Sequence, residues 1–448
     1  MKDGYYLLSY KVNGIKNIDK DVKLEFYKKT IDKEFDPKEY NVKAIYGENG
    51  TGKSAIITSV KVLKNLMLNR YYLTDSKNRI LFESLINKKT NSALFETEFI
   101  CKYDGRIIVF EYLIKILKDE IESLYKISKE ELSYRTLTSK KWTKVYSIEE
   151  GNLVDSIDKK VFNKINKENG TESLKEKSFL SYFAYKLARL EIDENDNTSF
   201  IAPAIVCENF ALNLYIYLDD ADTYDKYLNT VVMYDYNNNP SKYNYQIPNV
   251  PRVSFSDEML NYVSIIEKDR FDNYKKDILK VYEFIKIFKP NLKNIEIDKK
   301  EDHEFYVCEL IFNYGDYKVN AAFESNGVKK LIKIYKAIEA VDKGSIVFID
   351  EFDSNIHDVY LCKLLEYIEE YAKGQLCFTT QSITMMDVLE DRKKSLDFLS
   401  RNHEITSWFK NSHYSASRKY KEGYIENSPF NIESFDFLKA FGAAIDEE

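Results

Sequence analysis

The 448-residue chain predicts an α/β fold with an antiparallel side sheet and an inserted helical subdomain, and three stretches carry that expectation. The first is VKAIY (42–46), an apolar strand that runs through a glycine-rich turn into a helix, with Ile56, Ile57, Val60, Leu63, Leu66 and Met67 recurring at helical spacing. In the second, IVFI (346–349), an apolar run of the kind buried on both faces of a sheet stops at Asp350-Glu351. The third is a pair of alternating segments, 94–103 and 106–115, joined at Asp104-Gly105, a dipeptide suited to a tight hairpin.

Taken in order, residues 1–115 read as a first lobe, with strands near 5–12, 22–27 and 42–46, the helix from 53, and the hairpin. Residues 116–290 read as the insertion. It begins with a further strand pair around 121–127 and 143–147, then turns helical over 173–190, 208–220 and 256–288, with the Asn/Pro-rich stretch 236–251 as a long loop. No sustained heptad run occurs, so a compact helical subdomain is expected rather than a long coiled coil. Residues 291–448 read as a second lobe: strands at 293–298, 304–313 and 317–323, a helix from about 326, the acidic strand, the strand LCFTT (376–380), and an edge hairpin from 396–400 and 404–409.

The turn after the first strand is GENGTGKS, in which Gly47, Gly52, Lys53 and Ser54 fit G-x-x-x-x-G-K-[ST]. In a strand-loop-helix context the backbone N–H groups of Glu48, Asn49, Gly50, Thr51, Gly52, Lys53 and Ser54 converge at a helix N-terminus, where peptide dipoles favour a phosphate. Lys53 would reach the β- and γ-phosphates of ATP, and the Ser54 hydroxyl would take one place in the shell of Mg²⁺. At the end of the acidic strand, Asp350 would hold the same Mg²⁺ through water, and Glu351 is placed to polarise the attacking water. Taken alone, an apolar run ending in acids is equally a surface turn; its pairing with the phosphate loop gives it meaning. Upstream, Ser325 stands before a helix with Val328, Leu331, Ile332, Tyr335 and Ile338 on one stripe. Ser325 and Gly327 form either an ordinary helix cap or a second anion-binding surface.

In this order the elements resemble the ABC-type ATPases of the SMC and overcoming-lysogenization-defect-like class, many of them bacterial defence or toxin-like proteins. The resemblance rests on GENGTGKS (47–54, the Walker A position), ESNGVKK (324–330, the signature position), IVFIDEFDSNIHD (346–358, the Walker B position) and QLCFTTQS (375–382). It extends to LLSYKVNGIKNI (7–18) and GYIENSPFNIESFDFLKAFG (423–442). It implies a P-loop NTPase of ABC/SMC-head type: a head-to-tail dimer or higher oligomer, with each ATP on one phosphate loop and under Ser325 and Gly327 of the other chain. Residues 353–357 then resemble the loop between the two sites, and His357 is either part of that interface or a helix cap. Gln381 departs from the family, which usually has His there contacting the γ-phosphate; an amide donates a hydrogen bond but does not titrate near neutral pH. That change bears on turnover more than on binding and opens a reading of slow or partner-dependent hydrolysis, while intact Lys53, Asp350 and Glu351 favour a competent hydrolase.

Composition limits the alternatives. The net charge is −7, from 66 Lys and Arg against 73 Asp and Glu, so nucleic-acid binding finds no broad positive field. The basic stretches 139–144 and 158–167 are interleaved with acids and read either as a solvated mixed-charge face or as a nucleic-acid track. Cys101, Cys207, Cys308, Cys362 and Cys377 show no paired spacing, and the four histidines show no metal-ligand spacing. Without an apolar stretch of roughly twenty residues or a secretory leader pattern, a cytoplasmic protein with no membrane partner is expected. The leading reading is an ATP-driven molecular switch in anti-phage defence or a toxin-antitoxin-like system, acting with an effector protein encoded nearby. A poorly hydrolysing nucleotide scaffold and a nucleic-acid-processing enzyme are the other two.

Overall fold

In the computed structural model the described residues are 4–425, except 28–30, 32–34, 120, 138, 140, 161–162, 164–173, 188–197, 219–262 and 411–413, together with Ser428. Three sheets organise them. The core sheet has the order β17-β16-β3-β15-β14-β9, from β3 (Val42–Tyr46), β9 (Leu214–Tyr217), β14 (Ile346–Ile349), β15 (Gln375–Thr379), β16 (Leu396–Leu399) and β17 (Ile405–Ser407). All its neighbours are parallel except the β16-β17 pair at the edge.

Alternation along these strands explains why the core sheet is covered twice. Ile45, Ile346, Phe348 and Cys377 point into one apolar cluster, whereas Ala44, Tyr46, Val347, Ile349, Leu376 and Phe378 point into another. The first cluster is closed by α1 (Lys53–Leu68), α3 (Phe179–Leu187) and α4 (Thr198–Leu212), together with α2 (Ser76–Leu85) and a seven-stranded antiparallel sheet. That sheet has the order β2-β1-β4-β5-β6-β7-β8, from β1 (Gly4–Asn13), β2 (Val22–Glu25), β4 (Ser92–Tyr103), β5 (Arg106–Lys118), β6 (Tyr125–Thr136), β7 (Thr143–Glu149) and β8 (Asn152–Ser156). The second cluster is closed by α5 (Phe271–Phe288), α6 (Asn326–Lys343), α7 (Asp358–Tyr371), α8 (Thr384–Leu389) and α9 (Ala416–Lys421). A small sheet of β10 (Val263–Glu267), β11 (Asn294–Asp302), β12 (Phe305–Asn313) and β13 (Lys318–Asn320) packs beside them.

One buried side chain joins the two large sheets. Gln375 of β15 accepts from the Leu7 backbone N–H at 2.6 Å and donates to the Leu7 carbonyl at 3.1 Å, at the irregularity where β1 slips register against β4. A primary amide can satisfy both groups of one peptide, so Gln375 stands in for a missing strand partner.

Several sequence expectations are corrected here. Residues 208–220 are not one helix: α4 stops at Leu212, and Leu214–Tyr217 is a strand lying parallel to β14 in the core sheet. Residues 263–267 are likewise a strand rather than the start of the helix that becomes α5. The strand expected at 121–127 runs over Tyr125–Thr136 and pairs along β5, which itself continues past 115. The described residues of 116–290 contribute strands to both large sheets as well as helices. The loop 236–251 and most of 423–442 lie outside the described residues. All five cysteines are buried free thiols. Among the described residues no helix is long and apolar enough to cross a membrane.

Candidate functional site

Strands β3, β15 and β14 are parallel neighbours, so the turns that leave them emerge at the same edge of the sheet. In open α/β sheets that edge, at the strand C-termini, is where ligands bind. A cleft of about 590 Å³ opens there. Lys53 and Ser54 line it from the phosphate loop, Glu351 and Asp353 from the acidic strand end, and Thr379 and Gln381 from the end of β15. Two segments three hundred residues apart in sequence thus share one cavity because a single strand separates them.

Backbone geometry shapes the loop. A Cβ on Gly47 would lie 2.5 Å from the Leu399 carbonyl, so only glycine lets β3 leave the sheet beside β16. Gly52 adopts φ 108° in the cap position of α1 and supplies no side-chain acceptor to the first turn, which leaves those N–H groups for an anion. Thr51 Oγ1 donates to the Glu48 carbonyl at 2.9 Å, and Arg401 pairs with the Glu48 carboxylate. Lys53 Nζ is folded back, donating to the carbonyls of Gly47 at 2.7 Å and Glu48 at 3.0 Å. Burial pulls its pKa down, opposed by the nearby carboxylates of Asp350, Glu351 and Asp353.

Thr379 organises the acidic pair. Its hydroxyl donates to Asp350 Oδ1 at 2.5 Å and accepts from the Glu351 backbone N–H at 2.8 Å. On the far side of the same residue, Lys330 Nζ of α6 donates to the Glu351 carbonyl at 3.1 Å. Glu351 is held with φ 47°, in the left-handed region, so its peptide is clamped in a conformation a side-chain-bearing residue adopts at some cost. Asp350 is buried and meets the cleft wall through Thr379.

Gln381 bridges the two halves. Its backbone N–H donates to Asp353 Oδ2 at 3.0 Å, and its side-chain amide donates to Asn49 Oδ1 at 3.1 Å. An unbroken hydrogen-bonded path therefore runs from the acidic loop to the phosphate loop.

Of the other residues singled out by sequence, Asn49, Gly50 and Gly52 line the cleft, while Gly47, Glu48 and Thr51 shape the loop behind it. Ser325 and Gly327 do not line the cleft. The Ser325 hydroxyl caps α6, accepting from Val328 N–H at 3.4 Å, and a Cβ on Gly327 would lie 2.6 Å from the Asn355 carbonyl, so α6 starts hard against the loop after the acidic pair. His357 caps α7, with Nδ1 accepting from Val359 N–H at 3.4 Å. The sequence reading missed Thr379, whose signal was a hydroxyl at the end of a buried strand next to the acidic one. It also missed Lys16 and Asn17, which line the cleft from the turn after β1.

Mg²⁺ takes oxygen ligands and keeps several waters, so one or two protein oxygens with substrate phosphates suffice to hold it. Ser54 lines the cleft and Asp350 lies buried behind Thr379, and among the described residues no group of three or more His, Cys, Asp or Glu is gathered to cage a metal without a phosphate.

Residues 241–387 match the family model described as an AAA domain, putative AbiEii toxin, Type IV toxin-antitoxin system. The match spans α6, the acidic strand and β15, and the residues that follow the two strands build one wall of the cleft. The fold is α/β, with the phosphate-loop turn leaving a mostly parallel core sheet beside a large antiparallel sheet. Among solved structures, the recombination mediator protein RecF with ATP, of the RecFOR pathway, is similar to this protein over 91% of this chain and 100% of its own, at 12% identity and a TM-score of 0.35. No curated protein matches the sequence.

Proposed function

We propose that this protein binds ATP with Mg²⁺ and hydrolyses it to ADP and phosphate, and that it works as a molecular switch between nucleotide-free and nucleotide-bound states. The observation that carries this is the meeting of Lys53 and Glu351 across one cleft at the C-terminal edge of the core sheet. In this reading the N–H groups of the phosphate loop bind the β- and γ-phosphates, and Lys53 leaves its two carbonyl partners for phosphate oxygens. Ser54 and Asp350 would hold Mg²⁺, which when bound neutralises developing charge on the phosphates. The Glu351 carboxylate takes a proton from water as its oxygen bonds the γ-phosphorus and the bond to the β–γ bridging oxygen breaks. Thr379 and Lys330, by fixing the Glu351 peptide, keep that carboxylate aimed.

The finer reading follows from the resemblance to overcoming-lysogenization-defect-like ATPases and from the wording of the family match. Two heads close on ATP, with Ser325 and Gly327 of one chain facing the nucleotide of the other, and an effector protein encoded nearby responds. The setting is anti-phage defence or a toxin-antitoxin-like system. Exposure of Ser325, outside the cleft of its own chain, supports a role in trans.

Steady-state phosphate release from the full chain, compared with Glu351→Gln, tests the hydrolase. Release that falls by a hundredfold or more, about 2.7 kcal/mol of barrier, is expected; equal release from both ends the claim. A second reading, a nucleotide-binding scaffold with little turnover, is favoured by one observation: the Gln381 amide occupies the space between Asn49 and Asp353 where the family's imidazole would act. Tight ATP binding without release above background would select it.

A further inference from the structure

Glu48 brings a negative charge into a loop whose N–H groups suit an anion, beside a lysine, Lys53, on which the carboxylates of Asp350, Glu351 and Asp353 already act. A further carboxylate there opposes a polyphosphate unless a cation answers it. Arg401, in the turn between β16 and β17, supplies that cation. Its Nε donates to Glu48 Oε2 at 2.5 Å, and a second guanidinium nitrogen pairs with the same oxygen. The Glu48 side chain is 18% exposed and that of Arg401 76%, so the carboxylate is largely withdrawn from water while its partner stands at the surface. The carboxylate's charge also reaches α9: burial pushes the Tyr420 hydroxyl up to about 12, and Glu48 adds to the shift.

The turn that carries Arg401 is fastened beside the loop independently of that pair. The Leu399 carbonyl, at the end of β16, lies 2.5 Å from where a Cβ on Gly47 would stand. Ser400 Oγ accepts from the N–H groups of Asn402 at 3.2 Å and Glu404 at 3.0 Å, and His403 Nδ1 lies 3.1 Å from Asp19 Oδ1 in the turn after β1. Within the loop, the Glu48 carbonyl accepts from Lys53 Nζ at 3.0 Å and from Thr51 Oγ1 at 2.9 Å. Arg401 therefore grips, by its side chain, the residue whose peptide holds Lys53 at rest. We propose that Arg401 is a positioning residue for the nucleotide: it neutralises Glu48 and steadies the first turn of the phosphate loop, so that the loop N–H groups and Lys53 meet the phosphates unopposed. The inference rests on the ATP-binding reading above. Arg401 acts through Glu48 and not on the phosphates themselves, so its effect depends on the Glu48 charge.

The test is calorimetric titration of Mg²⁺-ATP into the full chain and into Arg401→Gln, Arg401→Lys, Glu48→Gln and the Glu48→Gln, Arg401→Gln double variant, with melting temperatures taken without nucleotide. A guanidinium this exposed contributes little to folding, so Arg401→Gln is expected to melt as wild type. Its ATP affinity is expected to fall about fivefold, and Arg401→Lys, which keeps the charge, to bind within about twofold of wild type. In the Glu48→Gln background the same Arg401→Gln change is expected to alter affinity by less than about twofold, because the charge it answered is gone. Unchanged affinity in Arg401→Gln overturns the assignment. So does an equal loss in Arg401→Lys, or a loss that persists in the Glu48→Gln background, since either would trace the effect to something other than the neutralised carboxylate. Should Arg401→Gln melt early, Glu48→Gln against the double variant decides: equal affinities support the assignment and unequal ones overturn it. Wild-type protein that gives no heat with ATP would instead refute the nucleotide reading itself.

Discussion

Thr379→Val offers the sharpest test of how the acidic pair is held. Valine matches threonine in shape, so the change removes one hydroxyl and little else. That hydroxyl serves twice, donating to the Asp350 carboxylate at 2.5 Å and accepting from the Glu351 N–H at 2.8 Å, in a residue only 1% exposed. A hydrogen bond to a charged group contributes about 1.5–3 kcal/mol, and a polar group left unpaired costs about 1–3 kcal/mol. Water reaches the exposed Glu351 and relieves part of the second cost, so a loss of about 2–4 kcal/mol in unfolding free energy is expected. Turnover is expected to fall further than ATP binding, since Glu351 loses its backbone anchor while Lys53 and the phosphate loop are untouched; about ten- to a hundredfold in kcat corresponds to about 1.4–2.7 kcal/mol of barrier. Urea denaturation measures the first effect and phosphate release the second, with Thr379→Ser as the control that keeps the hydroxyl. Thr379→Val with wild-type stability and kcat within about twofold of wild type would refute the clamp.

Three further outcomes follow from buried groups. Gln375→Leu strands both polar groups of Leu7 inside the sheet interface, so a loss of about 2–5 kcal/mol and faster amide exchange at Leu7 are expected by hydrogen-exchange mass spectrometry. Lys43→Met leaves Asp397, its fully buried partner at 2.6 Å, without a counter-charge beside the phosphate-loop strand; about 3–5 kcal/mol should be lost and largely recovered in a Lys43→Met, Asp397→Leu double variant. Burial raises the Glu208 carboxyl to about 7 from an ordinary 4.5, so the folded state prefers it protonated: its contribution to stability is intact below pH 4.5 and lost as pH rises through 7. Glu208→Gln should therefore melt with wild type near pH 4.5 and above it at pH 8, and equal melting at both values would show that the carboxyl is not desolvated.

Much of this architecture was legible because local chemistry and tertiary context agree. At Asp104-Gly105 the backbone takes φ 48° and 73°, the tight turn that the dipeptide favours, and the hairpin pairs from Ser92↔Leu117 to Tyr103↔Arg106, slightly longer than the expected 94–103 and 106–115. The phosphate loop was legible because its glycines answer steric demands that no other residue meets. Leu214–Tyr217 was not legible for the opposite reason. A short apolar run after a helix has no periodicity to distinguish strand from helix, and its identity comes from Ile346–Ile349, to which it pairs across a long separation in sequence. Thr379 and Lys16 were missed on the same account: each lies in a stretch that carries the resemblance, QLCFTTQS and LLSYKVNGIKNI, but a stretch does not say which of its residues reaches the cleft, and parallel pairing or a pinned turn decides that.

The bridge through Gln381 would give the proposed switch a physical element. Asn49 belongs to the phosphate loop, Asp353 to the acidic loop, and one residue bonds both, through its side chain and its backbone respectively. A phosphate entering the cleft competes for the Gln381 side-chain donor, and release of Asn49 frees the residue whose backbone holds Asp353. The acidic loop in turn lies against the start of α6, where the Asn355 carbonyl abuts Gly327 and Lys330 holds Glu351. On the proposed switch reading, occupancy of the phosphate loop would be coupled through these contacts to the helix that carries Ser325. A ligand shifts such an element only by its differential affinity for the two arrangements. The exchange of an amide–amide bond for an amide–phosphate bond supplies that difference, and it does so without a titrating group, so a switch built on Gln381 should respond to nucleotide alike at pH 6 and pH 8, where one built on histidine would not.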